Sequence, residues 1–190
     1  MPQFDLRGIK IGKYVNSAGT ITYSDAQTLG DAMNVNLEFR FAEGRLYAES
    51  TLAEYMRKVT GGTISIGVKY IPTAAQQALF GSTANSRTTG GATVSGLIIG
   101  GADTPKYVGV AFYAPDMVDG NLKYTCVKIA KALFGQPSMS LQTAGENIQF
   151  NTPTTSGEFM ADDSTGQAMI EVAICDTESV AKSWVTTVLS

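Results

Sequence analysis

Two stretches of the chain alternate between apolar and polar residues with a period of two, which is typical of a β-strand with one buried and one wet face. They cover residues 33–41 and 63–70. The apolar positions are Val35, Leu37, Phe39 and Phe41 in the first stretch, and Ile64, Ile66, Val68 and Tyr70 in the second. The polar positions are Asn34, Asn36, Glu38 and Arg40, then Thr63, Ser65, Gly67 and Lys69. We therefore predict two half-buried strands.

A polar and charged segment separates these strands. We predict that residues 42–62 form a long inter-strand loop, and a loop of this length in a compact domain usually has a function. The segment mixes both charge signs with large apolar side chains, which suits an interface with an apolar centre and a charged rim. A mobile surface loop is the alternative. The candidate interface residues are Glu43, Arg45, Leu46, Tyr47, Glu49, Leu52, Glu54, Tyr55, Met56, Arg57 and Lys58.

Further strands are predicted in the second half of the chain. Residues 82–105 are rich in Gly, Thr and Ser, which indicates a long flexible excursion with one strand at residues 93–99. The next strands are predicted at residues 107–113 and 122–134, joined by a turn that contains Asp119-Gly120. The last three are predicted at residues 147–151, 156–160 and 169–175, with Pro153 at the bend between the first two.

Two short helices complete the prediction. Thr73 is placed to cap a helix over residues 74–80, and Gly81 occupies the position where a left-handed residue ends a helix. Near the C-terminus, Asp176 or Thr177 can cap a second helix. The apolar stripe of that helix is Val180, Ala181, Trp184, Val185 and Val188. The whole pattern predicts a mainly β chain that forms one domain over residues 1–190.

Charged residues are scarce in this sequence. They make up 16% of the residues, against about a quarter in an average soluble protein, while hydrophobic residues make up 44%. Interface cores are depleted in Lys, Glu and Asp, so the composition favours a surface that other subunits cover. A neutral surface rich in Thr and Gly is the alternative. The net charge is −3 and no basic run occurs, so tight binding of duplex DNA is not expected, although DNA can pass nearby.

The N-terminal region and the cysteines indicate a protein without export. The first residues include an early acid and no long apolar region, so no signal peptide is expected. The longest apolar run, near residues 97–99, is too short for a membrane span. Cys126 and Cys175 lie within apolar runs, and we expect both to be reduced and buried.

The sequence offers few residues for catalysis or metal binding. It has no histidine, the usual general base and the commonest metal ligand, and two separated cysteines cannot form a zinc site alone. Residues 8–14 depart from the spacing of a phosphate-binding loop and alternate like a strand. The pairs Asp162-Asp163 and Asp116/Asp119 lack calcium-hand spacing and indicate turns. We expect no enzyme, cofactor or metal site, although sequence alone does not test for the convergent carboxylate pair of a glycosidase.

A collinear series of segments over most of the chain resembles the major tail protein family of long-tailed, non-contractile bacteriophages. The series comprises Leu29-Gly30-Asp31-Ala32, the strand to Phe41, Leu46-Tyr47-Ala48-Glu49, and residues 61–68, 78–81, 107–112, 131–137 and 143–157. Its most distinctive part, Gly145-Glu146-Asn147-Ile148-Gln149-Phe150-Asn151-Thr152-Pro153, is close to the family's Gly-acid-x-apolar-x-Phe-x-Thr-Pro pattern. Residues 82–105 depart from the family by being richer in Gly and Thr.

The resemblance implies a β-sandwich or half-barrel with one or two short flanking α-helices, similar to the tube protein of type VI secretion. It implies hexameric rings stacked into a tail tube that delivers DNA, with the tape measure protein, the tail terminator and the distal tail protein as partners. It also implies no catalytic residue or cofactor, and a place in the virion after assembly in the host cytoplasm. Two alternatives are another self-assembling β protein (a secretion-tube or capsid-decoration subunit) and a monomeric β-sandwich that binds carbohydrate or protein.

Within this framework, residues 42–62 are the expected ring-to-ring stacking element. The residues expected to line the lumen are Asn34, Asn36, Glu38, Thr63 and Ser65. An ordinary solvated face is the alternative for each of them. Because a cationic wall would hold phosphate, we expect a neutral or acidic lumen in which Arg40 and Lys69 pair with acids or face elsewhere.

Overall fold

The computed structural model describes residues 5–48, 50–138 and 152–190. The strands in chain order are β1 (Arg7–Ser17), β2 (Thr20–Thr28), β3 (Ala32–Ala48), β4 (Thr51–Val68), β5 (Thr83–Thr89), β6 (Ala92–Ile98), β7 (Val108–Val118), β8 (Asn121–Phe134), β9 (Thr154–Met160) and β10 (Ile170–Cys175). The helices are α1 (Thr73–Phe80) and α2 (Glu178–Thr187). The prediction of a mainly β chain with two short helices is confirmed.

One antiparallel sheet of eight strands organises the fold. Its order is β2-β1-β7-β8-β9-β4-β3, and β10 pairs with β8 outside this path. The same edge of β8 is shared between two partners, since residues 131–134 pair with β9 and residues 124–129 pair with β10. Strands β5 and β6 form a separate hairpin. The large antiparallel sheet with two short helices is consistent with a β-sandwich or half-barrel.

The larger core lies on one face of this sheet. Helix α1 covers that face with Ala75, Leu79 and Phe80, all of which are fully buried. The strand residues of this core are Ile9, Ile11, Ile64, Ile66, Val68, Val108, Val110, Phe112, Ile129, Ala132, Phe134 and Phe159. The period-two pattern over residues 63–70 therefore predicts burial correctly, because Ile64, Ile66 and Val68 of β4 enter this core.

A smaller core lies on the opposite face, beneath α2. It contains Tyr23, Ala111, Tyr113, Cys126, Cys175, Ala181, Val185 and Leu189. Strand β7 lies between the two cores and is buried on both faces over residues 108–116. The predicted cap of α2 is confirmed at Thr177, whose side chain accepts a hydrogen bond from the Val180 amide at 3.4 Å. The apolar stripe is narrower than predicted, since Val180 is exposed.

Both cysteines are free and buried, as predicted. Their sulfur atoms lie 3.6 Å apart, on β8 and at the end of β10. Burial raises the pKa of the Cys126 thiol to about 12, and the contact with Cys175 adds to that rise. The thiolate is the reactive form of cysteine, and the raised pKa keeps Cys126 in its thiol form. Both cysteines pack here as small apolar side chains.

The predicted loop over residues 42–62 is wrong. Strands β3 and β4 continue through it as one ladder, from Phe41 paired with Val59 to Ala48 paired with Thr51. The alternation of apolar and polar residues fades in this segment because both of its faces are exposed. The backbone therefore forms strand pairs in a segment whose side-chain pattern does not predict a strand.

The excursion predicted at residues 82–105 is also largely regular structure. It holds two strands, β5 and β6, rather than the single predicted strand, and they meet at a turn in which Gly90 and Gly91 have φ of 60° and 80°. Both strands are mostly exposed, so their sequence carries little hydrophobic signal.

Three further predictions concern local details. The cap assigned to Thr73 is wrong, because Pro72 occupies the N-cap position of α1 and supplies no side-chain hydrogen bond. Gly81 ends α1 in the left-handed conformation, as predicted. The turn at Asp119-Gly120 between β7 and β8 and the strand over residues 8–14 are confirmed. The predicted strand at residues 147–151 lies outside the described residues.

Candidate assembly surface

The hairpin of β3 and β4 extends well beyond the body of the sheet. We call residues 41–48 of β3 and 51–59 of β4 the arm. The arm begins where β4 loses β9, since their last pair joins Gly62 to Phe159. A bulge between Arg40 and Phe41 and a φ of 144° at Gly61 mark the same position. A side chain at Gly61 would lie 2.6 Å from the Phe159 carbonyl oxygen, so glycine is required where the arm leaves the sheet.

The arm is exposed on both faces. Each described residue at positions 41–48 and 51–58 is exposed. Ten of the predicted interface residues lie on the arm, and Glu49 lies outside the described residues. The structure therefore brings the predicted set together, as a two-stranded ribbon rather than a loop.

One face of the arm, which we call the ionic face, satisfies its own charges. The Glu43 carboxylate lies 3.4 Å from the Arg57 guanidinium and 3.6 Å from that of Arg45. Arg57 also lies over the Phe41 ring at 3.7 Å, and Arg45 lies over the Tyr55 ring at 5.6 Å. Exposed ion pairs and cation–π contacts of this kind contribute on the order of 1 kcal/mol or less each. They order this face and satisfy its charges within the hairpin itself.

The opposite face, which we call the apolar face, is different. Register places Leu46 opposite Glu54 and Gly44 opposite Met56. Met56 is 74% exposed and Leu46 is 58% exposed. Among the residues that the structure describes, Glu54 has no ion-pair partner. At the tip of the arm, Tyr47 and Leu52 form a further exposed cross-strand pair.

The arm has two features that are typical of binding surfaces. A two-stranded hairpin without a third strand or a helix against it is only marginally stable in water. Contiguous exposed apolar side chains usually mark an interaction site. The arm combines both properties, so a partner that covers the apolar face would bury the exposed side chains and order the ribbon.

The predicted lumen residues share one face of the sheet. Register pairs Asn36 with Ser65 and Glu38 with Thr63, and it continues from Ser65 to Ser156 and from Thr63 to Glu158 on β9. This polar face also includes Asn34, whose side-chain oxygen accepts a hydrogen bond from the Gly67 amide at 3.1 Å. Whether the face lines a lumen stays a prediction.

The cations near this polar face are paired with acids. Arg40 forms an ion pair with Glu158 at 3.0 Å, and Lys69 lies 3.8 Å from Asp31. Glu38 remains as a carboxylate that accepts a hydrogen bond from Asn36 at 3.3 Å. The polar face therefore presents more negative than positive charge.

The sheet has open edges in the described part of the chain. Strand β3 pairs only with β4, and β2 pairs only with β1. An edge strand presents unpaired backbone N–H and C=O groups, which can pair with another chain. Both edges are therefore available to neighbouring copies.

Sequence reasoning missed an apolar groove beside β3. The groove has a volume of about 400 Å³ and lies where β3 passes in front of β7 and β8. Its lining residues are Asp5, Leu6, Met33, Asn34, Val35, Leu37, Phe112, Ala114 and Val127. The inward positions Val35 and Leu37 were predicted to be buried, but pattern alone does not show that the core opens there.

Sequence reasoning also missed a buried lysine. Lys131 is only 9% exposed, and its ammonium lies 2.8 Å and 2.9 Å from the two carboxylate oxygens of Asp163. The Tyr107 and Tyr14 rings flank it at 4.7 Å and 5.1 Å. Tyr14 also donates a hydrogen bond to Asp163. A lysine within the apolar run at residues 129–134 was the signal for this cluster, which fastens the turn after β9 to β1 and β8.

The Lys131 cluster gives a pH-dependent prediction. Burial alone lowers the pKa of Lys131, but the hydrogen bond and charge of Asp163 outweigh it and leave that pKa raised. The hydrogen bonds from Lys131 and Tyr14 lower the pKa of Asp163. The pair therefore stabilises the fold at pH values above the ordinary carboxyl pKa. That stabilisation is lost as pH falls through the lowered pKa of Asp163.

We expect Lys131→Met to lower Tm at neutral pH by about 2–4 °C, the shift that ~1 kcal/mol gives in a chain of this size. The deficit relative to wild type should shrink in acid. Thermal melts from neutral pH down to below the ordinary carboxyl range measure it, with Lys106→Met, which removes an exposed lysine just before β7, as the control. An equal deficit at every pH would contradict the assignment.

The described residues show neither a membrane-spanning helix nor a metal cluster. No helix in the described ranges is long and apolar enough to cross a membrane. The same ranges contain no group of three or more His, Cys, Asp or Glu side chains that could hold a metal ion. Comparison with models of known protein families and with curated protein sequences found no match.

Proposed function

We propose that this chain is a structural subunit that self-assembles into stacked hexameric rings and forms a phage tail tube. The observation that carries the proposal is the arm, an unsupported ribbon whose apolar face is exposed. A subunit that remained alone would expose these side chains to water without compensation. Contact with the next ring would cover them, and the arm extends beyond the last pair that joins β4 to β9.

The open sheet edges support contacts within a ring. Pairing β3 or β2 with a neighbouring copy satisfies backbone groups that are free in the described monomer. Such contacts use two different surfaces of each subunit, and head-to-tail contacts of this type close into rings or continue as filaments. The low charge content agrees with extensive coverage by neighbours.

The polar face of β3, β4 and β9 is the proposed lumen wall. Its excess of negative charge offers no cationic path for phosphate, so DNA would pass without being held. Purified assemblies are expected to leave duplex DNA unbound in a filter-binding measurement over a range of salt. Tight, salt-sensitive retention of DNA would contradict this part of the proposal.

The same proposal implies where the subunit is made and which proteins it contacts. The subunit would be made in the host cytoplasm and end in the virion, in contact with the tape measure protein, the tail terminator and the distal tail protein. A secretion-tube or capsid-decoration subunit would use the same surfaces, and gene neighbours distinguish these relatives. The apolar groove favours one further candidate, a monomeric β-sandwich that binds a ligand, because grooves with a few polar groups among apolar residues are typical binding sites.

Size-exclusion chromatography with negative-stain electron microscopy tests the proposal. The protein should form rings or tubes one hexamer wide as its concentration rises, at one or more salt concentrations. A strictly monomeric protein under all conditions, including with a phage tail initiator complex present, would overturn the proposal and favour the binding module.

A further inference from the structure

The hairpin of β5 and β6 is a second exposed ribbon, which we call the acceptor hairpin (residues 83–98). Register places Arg87 opposite Val94 and Thr83 opposite Ile98, so these four side chains share one face with Asn85 and Gly96. Val94 is 58% exposed and Ile98 is 50% exposed. Arg87 is the only charged residue in this hairpin. It makes no ion pair with any residue that the structure describes.

The apolar face of the arm has the complementary properties. It carries two exposed apolar side chains, Leu46 and Met56, and one acid, Glu54, between them in the ladder. Within the described ranges Glu54 has no cation partner, whereas the acid on the ionic face, Glu43, already has two. Lys58 lies on the same face beyond Met56, at the base of the arm.

We propose that the apolar face of the arm packs on the acceptor hairpin of a neighbouring copy, with the Glu54 carboxylate paired to the Arg87 guanidinium. The inference rests on the proposed function, because it names the surface that receives the arm. Glu54 on the arm and Arg87 on the acceptor hairpin are unpaired charges of opposite sign, and each lies beside two exposed apolar side chains. Gly44 and Gly96 lie in these faces and add no side chain that would hold the ribbons apart.

The contact is heterologous. The arm and the acceptor hairpin are different surfaces, so each copy offers one arm and one acceptor hairpin. A self-complementary patch would stop at a dimer, whereas a heterologous contact propagates from copy to copy. This is the connectivity that a stacked assembly needs.

Charge reversal at the two positions tests the pair. We expect Glu54→Arg and Arg87→Glu each to raise the protein concentration at which assemblies form by about tenfold or more, as expected for close charge pairs across interfaces. The double variant should restore assembly to within about threefold of wild type. Lys106→Glu, which reverses an exposed charge outside both ribbons, is the matched control and should leave the threshold unchanged. Sedimentation and negative-stain microscopy measure the threshold, and circular dichroism checks that each variant is folded.

Mixing the single variants gives a second readout. Chains with Glu54→Arg present an arginine arm to the glutamate of Arg87→Glu chains, and the reciprocal contact keeps the wild-type pair. The mixture should therefore assemble where neither variant does so alone, which a folding defect cannot produce.

The outcomes separate this inference from the proposed function. If arm deletion abolishes assembly while both charge reversals leave it unchanged, the arm docks elsewhere and the inference is overturned, although the proposed function stands. The inference is also overturned if the single variants assemble poorly and neither the double variant nor the mixture restores assembly. If the wild-type protein never assembles, both this inference and the proposed function are overturned.

Discussion

Replacing residues 44–58 with a short Gly/Ser turn should abolish tube formation and leave the fold intact. The deleted residues are exposed wherever they are described, and none contributes to either core. Closing β3 and β4 with a shorter connection changes the loop-closure entropy only slowly, so the body should keep its stability. Assembly should fail because the shortened chain lacks the apolar face that a neighbouring copy would cover.

The decisive comparison measures folding and assembly on the same samples. Circular dichroism and melting should match wild type, while electron microscopy should show no tubes at any concentration at which wild type forms them. A control that keeps the ribbon and neutralises only its ionic face, Glu43→Gln with Arg57→Gln, should still assemble. Long tubes from the shortened protein would refute the role of the arm, and an unfolded protein would show that the arm belongs to the folding core.

A single methyl group at Gly62 should destabilise the fold severely. A Cβ atom at this position would lie 2.1 Å from the carbonyl oxygen of Glu38 and 2.5 Å from the Phe159 ring. The first contact is with backbone, so β3 and β4 would have to separate at the root of the arm. We expect Gly62→Ala to cost about 3 kcal/mol or more and to lower Tm by about 6–12 °C, since overpacking a closed site forces backbone shifts.

Gly44 provides the matched control for that substitution. It lies in the same hairpin, and a Cβ atom there would meet no atom within 4 Å. Gly44→Ala should therefore leave Tm unchanged or raise it slightly, because alanine reduces the freedom of the unfolded chain. Melts at a concentration where the protein is monomeric make the comparison. Equal Tm values for the two variants would show that β3 and β4 do not approach each other as described.

The strands whose alternate side chains enter the larger core could be predicted from the sequence, whereas the exposed arm and the exposed strand β5 could not. Alternation located β4 because Ile64, Ile66 and Val68 enter the core while Thr63 and Ser65 do not. The arm has no buried face, so the amphipathic pattern is lost while the backbone ladder continues. Only one strand of the acceptor hairpin, at residues 93–99, was predicted, because both strands are mostly exposed, and the Gly90-Gly91 pair at its tip carried the turn signal.

The candidate site shows a similar division. Composition led to the prediction of an interface at residues 42–62, because the mixture of apolar and charged side chains is visible without knowing the backbone. The division of that mixture between an ionic face and an apolar face depends on which residues are opposite each other. A bulge shifts the register between Leu46 and Tyr47, so this division was not predictable from spacing. The Lys131 cluster likewise depends on a contact between positions far apart in the chain, with Asp163.

The unsupported arm also affects how fast assembly begins. A free two-stranded ribbon spends part of its time open, so a docking event must order the arm as well as bring two copies together. When two free copies meet, the arms of both are still unsupported. A copy that joins the end of an existing assembly instead meets a surface that neighbouring copies already order. Starting a new assembly is then slow and extending an old one is fast, which favours a few long structures over many short ones.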